Sequence, residues 1–457
     1  MRIPPPLAGL CGYDEAARPG HSVEESVTRL LRLHWYEKRL AEIAVARLAA
    51  EPMWEVKCAL ALHQWQDGEH AAAMRTRITE MRSPPPRFDR SPDASLETFL
   101  AEVLRAADTV ELVAGLTFAH AMLVAAYRDH LAGSNPLVDQ PTRRVLRFNA
   151  IEEEETASWY RAALDALIAG DAEAAARADA WRSHLEACLT AAGGVAGDRS
   201  RAAAPAVLRG ARPYELDTTP RRDARFRGTH EFEFPPQVVY NAAGVPAEER
   251  NLALLCRRTL EMDVPEMISS IMAERRDRPW QFYRDYGRQL WDEARHAMMG
   301  TVALTSRGVD WTDVPLNVGF SLRLNRHAAP LERQILLFAI EQSLMPGETG
   351  KRSEYETALD AGDALSAHFH DFDWADEVLH AQIGRRWLAD EDVSVREALR
   401  RGEEIHERTW SALSQHRRDE GFEPWAWWRG FVRSVLGRES AAAGPGEGPP
   451  AIVAHSG

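Results

Sequence analysis

The stretch Leu290-Trp291-Asp292-Glu293-Ala294-Arg295-His296-Ala297-Met298-Met299-Gly300 decides how this chain folds. Glu293 and His296 lie three residues apart, which on a helix puts a carboxylate and an imidazole on one face. The same spacing returns at Glu377-Val378-Leu379-His380. Between the two copies, Glu341 sits inside the apolar run 336–344. A carboxylate among apolar neighbours is costly to bury unless it is paired or holds a cation. The pattern therefore predicts buried helices that share a polar centre.

Working outward, composition agrees with helix. Ala, Leu, Glu and Arg dominate, 45% of residues are apolar, and long stretches lack Gly and Pro. Period-two alternation is scarce, and only 230–240 reads as extended. The net charge of −14 is spread with Arg among Glu and Asp, so no basic stripe points to nucleic acid. Cys11, Cys58, Cys188 and Cys256 are far apart and form no Cys-x-x-Cys, which argues against a disulfide framework or thiolate zinc site. The first ten residues lack a signal-peptide core, and no run reaches the roughly 18 apolar residues that span a bilayer. The expected location is the cytoplasm, with no membrane partner.

The fold class expected is all-α: two tandem four-helix bundles joined by a long irregular linker. Residues 1–20 read as an arm and 21–195 as the first bundle, with helices over 21–50, 53–81, 95–131, 142–168 and 172–191. Residues 82–94 are a Pro-rich loop, and the 95–131 helix has a potential break near 107–109. Residues 196–247 form a linker or strap, too long for an ordinary loop. The second bundle is 248–436. Its helices are 248–274 (bent by Pro265), 279–307, 317–345 (stopped by Pro346-Gly347), 371–388, and one or two over 394–435. Residues 437–457 are Ala, Gly, Pro and Ser and are expected to be disordered.

The halves resemble each other. Glu37-x4-Glu42 matches Glu261-x4-Glu266, and Trp65-Gln66-Asp67-Gly68-Glu69-His70 lines up with Trp291–His296. The chain thus reads as an internal duplication.

Two Glu-x-x-His helices, with two further helices giving one Glu each, are the ligand set of a dinuclear metal site in a helix bundle. Three helices supply Glu293, His296, Glu341, Glu377 and His380. The fourth must be 248–274, with Glu261 or Glu266. Glu261 has a core face of Leu254, Val264, Ile268 and Met272, while Glu266 is flanked by Ser269 and Ser270. Each core-facing Glu precedes its Glu-x-x-His by a similar span, 32 and 36 residues. Asp292, Asp373 and Asp376 are candidate acceptors for the ligand imidazoles, and Arg295 a partner for one of them.

On Asp-Glu-Ala-Arg-His at 292–296, Asp-Glu-Val-Leu-His at 376–380 and Glu341, the chain resembles the ferritin-like di-iron carboxylate proteins. The resemblance covers roughly 250–390 and more weakly 22–170. It implies a ferritin-like fold and metal ligands at Glu261 or Glu266, Glu293, His296, Glu341, Glu377 and His380. It also implies two iron ions, or manganese with iron, and dioxygen as co-substrate. The activity implied is that of a non-haem oxidase or oxygenase acting on a small molecule in biosynthesis or specialised metabolism. No flavin or nicotinamide fingerprint is present, so electrons are expected from an external donor. The oligomeric state stays open, a homodimer included.

The first half lacks the full set. Asp67-x-x-His70 replaces Glu-x-x-His, Ala119 or His120 stands at the place of Glu341, and Ser158 stands where a second His would follow Glu155. The expected reading is a bundle that keeps the fold without metal. The alternative is an altered site from Glu37, Asp67, His70, His120 and Glu155. His34 and His63 read as core histidines, and Trp425, Trp427 and Trp428 as core or interface in preference to a pocket roof. Against the enzyme stand a non-catalytic helical scaffold and, more weakly, iron storage.

Overall fold

The computed structural model describes residues 3–82, 86–226, 234–345, 350–413 and 422–444. Among them every regular element is helical and no strand forms. The chain divides into two compact units: Met1–Arg47 with Leu62–Leu216, and Leu48–Ala61 with Asp217–Gly457. The sequence grouped residues 48–61 with the first half. Their contacts join them to the second, since Trp54 packs on Phe226 and Trp311 and Lys57 pairs with Glu266.

The first unit contains α1 (Val23–Leu48), most of α2 (Trp54–Glu80), α3 (Ala94–Leu104), α4 (Thr109–Gly133), α5 (Gln140–Ile168) and α6 (Ala172–Ala191). Helix α1 starts with a reciprocal cap: Ser22 N donates to Glu25 Oε2 and Glu25 N to Ser22 Oγ. It buries Leu30, Leu33, Leu40, Ile43 and Leu48. Residues 95–131 are two helices, because Asp108 caps a new one by accepting from Glu111 N. Helix α4 packs along α5 and α6, and α3 on α6. By length and composition α4 is the one described helix that could cross a membrane, a property the sequence reading had missed; most of its apolar window is buried inside the fold.

The second unit contains α7 (Ala247–Leu260), α8 (Asp263–Glu274), α9 (Trp280–Thr305), α10 (Gly319–His327) and α11 (Pro330–Ser343). It continues with α12 (Lys351–Asp360), α13 (Ala364–Ala389), α14 (Val395–Leu413) and α15 (Pro424–Leu436). Prolines set two departures from the sequence reading. Residues 248–274 are two helices, not one bent helix. Pro265 has no N–H and its ring crowds the carbonyl of Glu261, so α7 ends there. Residues 317–345 also split, with Ala328 and Ala329 extended ahead of Pro330 at the first position of α11. Helix α13 begins earlier than the 371 expected, where Asp363 accepts from Ser366 N. Helix α12 was not foreseen.

Helix α8 packs on α9, α9 on α13, α13 on α11 and α11 on α8, which closes a ring of four. From Ala191 to Ala247 the described chain is irregular apart from the short turns Arg209–Ala211 and Pro236–Val239. The extended stretch read at 230–240 is therefore a helical turn where it is described, and residues 227–233 lie outside the described residues. So do Pro346-Gly347 and 445–457 of the expected disordered tail.

Two features of these units are open to measurement. Gly300 of α9 lies against α7, where an added Cβ would sit 2.7 Å from Arg258 Cβ, 2.9 Å from Thr259 N and 3.0 Å from Leu255 O. Backbone cannot yield as a side-chain tip can. Gly300→Ala is expected to cost about 1–3 kcal/mol in urea denaturation, and a neutral result would refute this close approach. In the first unit His34 is buried, accepts from Arg75 Nε at 2.9 Å and meets the edge of Phe88. Burial, then Arg75 and Lys38, push it down to about 3 against a weaker upward pull from Asp89. A histidine neutral in the fold but free to protonate when unfolded makes stability fall as pH drops from about 6.5 toward 3. His34→Gln should flatten that slope by up to about 1.4 kcal/mol per pH unit in denaturation at pH 6, 5 and 4. His63 and His130, also held low, keep part of it.

Candidate metal centre

Helix α9 presents Glu293 and His296, α13 presents Glu377 and His380, α11 presents Glu341, and Glu261 caps the end of α7. All but Glu261 are almost fully buried; Glu261 is half-buried. Glu293, Glu341, Glu377 and His380 each offer one ligand atom, all within 4.8 Å of one another. Glu261, Glu293 and His296 form a second such set, and His296, Asp373 and Glu377 a third. Glu293 and Glu377 thus each belong to two sets. His380 Nδ1 lies 3.2 Å from Glu293 and 3.4 Å from Glu377, and His296 Nδ1 lies 3.9 Å from Glu261 and 3.7 Å from Glu293.

The imidazoles are oriented from behind. His380 Nε2 faces Asp292 at 3.4 Å and His296 Nε2 faces Asp376 at 3.2 Å. Arg295 bonds both aspartates and Arg288 bonds Asp292, so the acceptors are themselves fixed. Both Nδ1 atoms are left pointing at the carboxylates. Neither makes a hydrogen bond there, nor does Glu377 Oε2, although all three atoms are buried. The donor set is carboxylate oxygen and imidazole nitrogen, which suits first-row divalent ions.

Electrostatics follows from crowding. Burial and then Glu377 and Glu293 push Glu341 well above the ordinary carboxylate range. Burial would lower His296, but Asp373, Asp376 and Glu293 lift it to about 10. Burial would also lower His380, yet Asp292, Glu293 and Glu377 raise it well above the usual value. The cluster holds protons to reduce its own negative charge.

Asp373 and Lys351 are inside the centre, where the sequence reading had placed the first only as an acceptor and the second not at all. Lys351 Nζ lies 2.8 Å from Glu377 and 3.0 Å from Asp373, and Asp373 lies 3.1 Å from His296 Nδ1. Asp373, Glu377 and His380 share a face of α13 at helical spacing, a signal that was available for Asp373. Lys351 carried none, because it arrives on the unforeseen α12. Arg258 Nη2 bonds Glu354 at 2.8 Å, His370 at 2.8 Å and Asp373 at 2.6 Å, and so fills the ligand-like set those three residues form. Its Nη1 donates to both oxygens of Glu261 at 2.9 Å.

Glu266 does not join the centre. It is fully buried against Lys57 and Arg222 and accepts from Ser321 Oγ at 3.0 Å. Glu266 lies beyond the helix break at 261–262, five residues on from Glu261, and finds its countercharges elsewhere. Trp428 lies in an apolar core with Phe431 and Val432, and Trp427 stacks on Phe234, so neither roofs a cavity at the centre.

In the first unit Glu37, Asp67, His70 and Glu153 form another fully buried set with ligand atoms within 4.8 Å of one another. His120 Nδ1 joins at 2.8 Å from Glu153. Glu155 and Ser158, the positions read from sequence, are exposed. The inward register of α5 is Glu153, Thr156 and Tyr160. Burial, with Glu153 beside both, pushes Glu37 and Asp67 above the ordinary carboxylate range.

The chain matches no protein-family model, no curated protein and no solved structure.

Glu266→Gln leaves Lys57 and Arg222 buried without their carboxylate. It should cost about 3–5 kcal/mol of stability while leaving bound metal per chain unchanged. Elemental analysis beside urea denaturation reads both, and a loss of metal would return Glu266 to the ligand set.

Proposed function

We propose that the second unit holds two first-row metal ions, iron or manganese with iron, and uses dioxygen to oxidise a small molecule. The observation that carries this reading is the overlap of the buried ligand sets. Glu293 belongs to the set with Glu341, Glu377 and His380 and also to the set with Glu261 and His296. One ion would be held by the first set and a neighbouring one by the second, with Glu293 available to both. The ring of α8, α9, α11 and α13 supports reading this unit as a ferritin-like bundle.

Charge supports it as well. Glu261, Glu293, Glu341, Asp373 and Glu377 are five carboxylates, against the two cations Lys351 and Arg258. When bound, such a metal pair supplies electrons to dioxygen, which no side chain here can do. The chain's own residues do the rest. Asp292 and Asp376 keep the Nε2 side of each imidazole engaged, so both Nδ1 atoms face the centre. Gln289 Nε2 holds Glu341 Oε1 at 3.1 Å, and Lys351 anchors Glu377 Oε1 while its Oε2 stays free. Leu290, Ala297, Leu337, Phe338 and Ala381 are buried on the same helices and keep water away. The small-molecule substrate and an external electron donor belong to this proposal.

Lys351 and Arg258 favour one other reading, a metal-free helical scaffold in which built-in cations neutralise the carboxylates. Metal analysis separates the two. Protein made with iron in the medium should lose about two ions per chain on Glu293→Ala. His296→Ala or His380→Ala should abolish reductant-driven oxygen uptake while far-UV circular dichroism stays helical. Wild-type protein carrying no metal that depends on Glu293, with stability unmoved by Glu293→Ala, would end the enzyme reading.

A further inference from the structure

Five sets of His, Asp and Glu among the described residues bring their ligand atoms within 4.8 Å of one another. In four of them a Lys or Arg already pairs with a member. Lys351 holds Glu377 and Asp373, and Arg258 holds Glu261, Glu354 and Asp373. The exception is the set in the first unit. No described Lys or Arg lies within ion-pair distance of Glu37, Asp67, His70 or Glu153.

The anchoring of these four residues is the second observation. Glu37 Oε1 accepts from Tyr127 Oη, whereas Glu37 Oε2 has no partner. Glu153 Oε2 takes His120 Nδ1, whereas Glu153 Oε1 has none. His70 Nε2 is held at 2.7 Å by Glu152, whereas His70 Nδ1 has no hydrogen bond. Asp67 Oδ1 is free as well. Each of the first three residues is thus gripped on one atom and leaves the other bare. The bare His70 Nδ1 and Glu153 Oε1 lie 3.5 Å apart, Glu37 Oε1 is 3.2 Å from the same nitrogen, and all four residues bring a ligand atom within 4.8 Å of one another. A buried polar atom without a partner is costly, and four of them at one point call for a ligand that satisfies all four.

We propose that the first unit binds one divalent cation of the manganese(II) or iron(II) class through Glu37, Asp67, His70 and Glu153. Three carboxylates and one imidazole form a hard donor set with a borderline member, which disfavours calcium and copper and suits these two ions. Atoms facing each other across such an ion stand about 4.2 Å apart, so the observed set needs only small movements to close on it. Glu152 fixes the tautomer that turns the Nδ1 lone pair inward, as acceptors behind metal-bound histidines do. Tyr127 and His120 stand behind Glu37 and Glu153 in the same way. The site involves none of the residues of the second unit and does not depend on its oxidase reading.

The test uses the full chain carrying Glu293→Ala and His380→Ala, so that the other centre is disabled. Manganese(II) is titrated in, and free ion is counted by its EPR signal. About one ion should bind per chain, and it should raise the thermal midpoint. Adding Asp67→Asn, nearly the same size, should weaken that binding at least tenfold and remove the thermal shift, whereas Glu155→Gln should change neither. In an otherwise wild-type chain, Asp67→Asn should lower total metal by about one ion, which covers the case in which the disabled chain folds poorly. No manganese binding by the disabled chain with wild-type metal unaffected by Asp67→Asn, or binding indifferent to Asp67→Asn, overturns the proposal. Full metal retention despite Glu293→Ala and His380→Ala would instead remove the second-unit centre and leave this one standing.

Discussion

Repulsion among buried carboxylates is the constraint on which the second unit is built. Glu293, Glu341, Asp373 and Glu377 are all within 3% of full burial, on three different helices, around two histidines. Isolated charges in such a place are strongly unfavourable, and the cost falls only with countercharge, protons or a bound cation. Countercharge and protons are both in use. Lys351 and Arg258 supply fixed charge, Glu341 keeps its proton, and His296 and His380 are raised so that they hold theirs. The arrangement is asymmetric. The side around Asp373 and Glu261 carries both fixed cations, while the side around Glu341 and His380 relies mainly on protons.

Helix breaks decide which residues take part. Had 248–274 been one helix, Glu261 and Glu266 would lie five residues and about 140° apart around its axis, so that only one of them could face the centre. Pro265 ends α7 at Glu261 and starts α8 after it, which assigns the two carboxylates to different partners. Glu261 turns toward His296 and Arg258, and Glu266 toward Lys57 and Arg222. Gly300 lets α9 lie against the backbone of residues 255–259. The end of α7 is therefore placed by contact of main chains, which holds position more firmly than side chains alone.

The all-helical class and the core faces of the long helices were legible, because helical period is a local property that three or four turns repeat. Glu293, His296, Glu341, Glu377 and His380 were legible for the same reason, and the structure brings them together. What escaped was set by tertiary geometry. The full splits at 261–262 and 328–329 depend on prolines whose effect is local but whose strength the pattern does not rank, whereas the break near 107–109 was readable. Lys351 approaches from a short helix beyond a loop, so no spacing links it to Asp373 or Glu377. On α5, four consecutive Glu residues offer several registers, and only packing selects Glu153 over Glu155.

The two units handle the same difficulty differently. The second surrounds its carboxylates with lysine and arginine and retains a Glu-x-x-His on two helices. The first has one Asp-x-x-His, a histidine on α4 where the second unit has Glu341 on α11, and, among the described residues, no Lys or Arg within ion-pair distance. Loss of a second Glu-x-x-His reads in sequence as loss of a metal. The surroundings argue the reverse. Without a cation, an apolar residue in place of buried Asp67 or Glu153, or a lysine beside them as in the second unit, would cost less. Glu37, Asp67 and Glu153 are instead fully buried, two of them backed by Tyr127 and His120, with one oxygen of each bare. Fewer donors and no built-in countercharge describe a smaller site for one ion better than they describe a ruin.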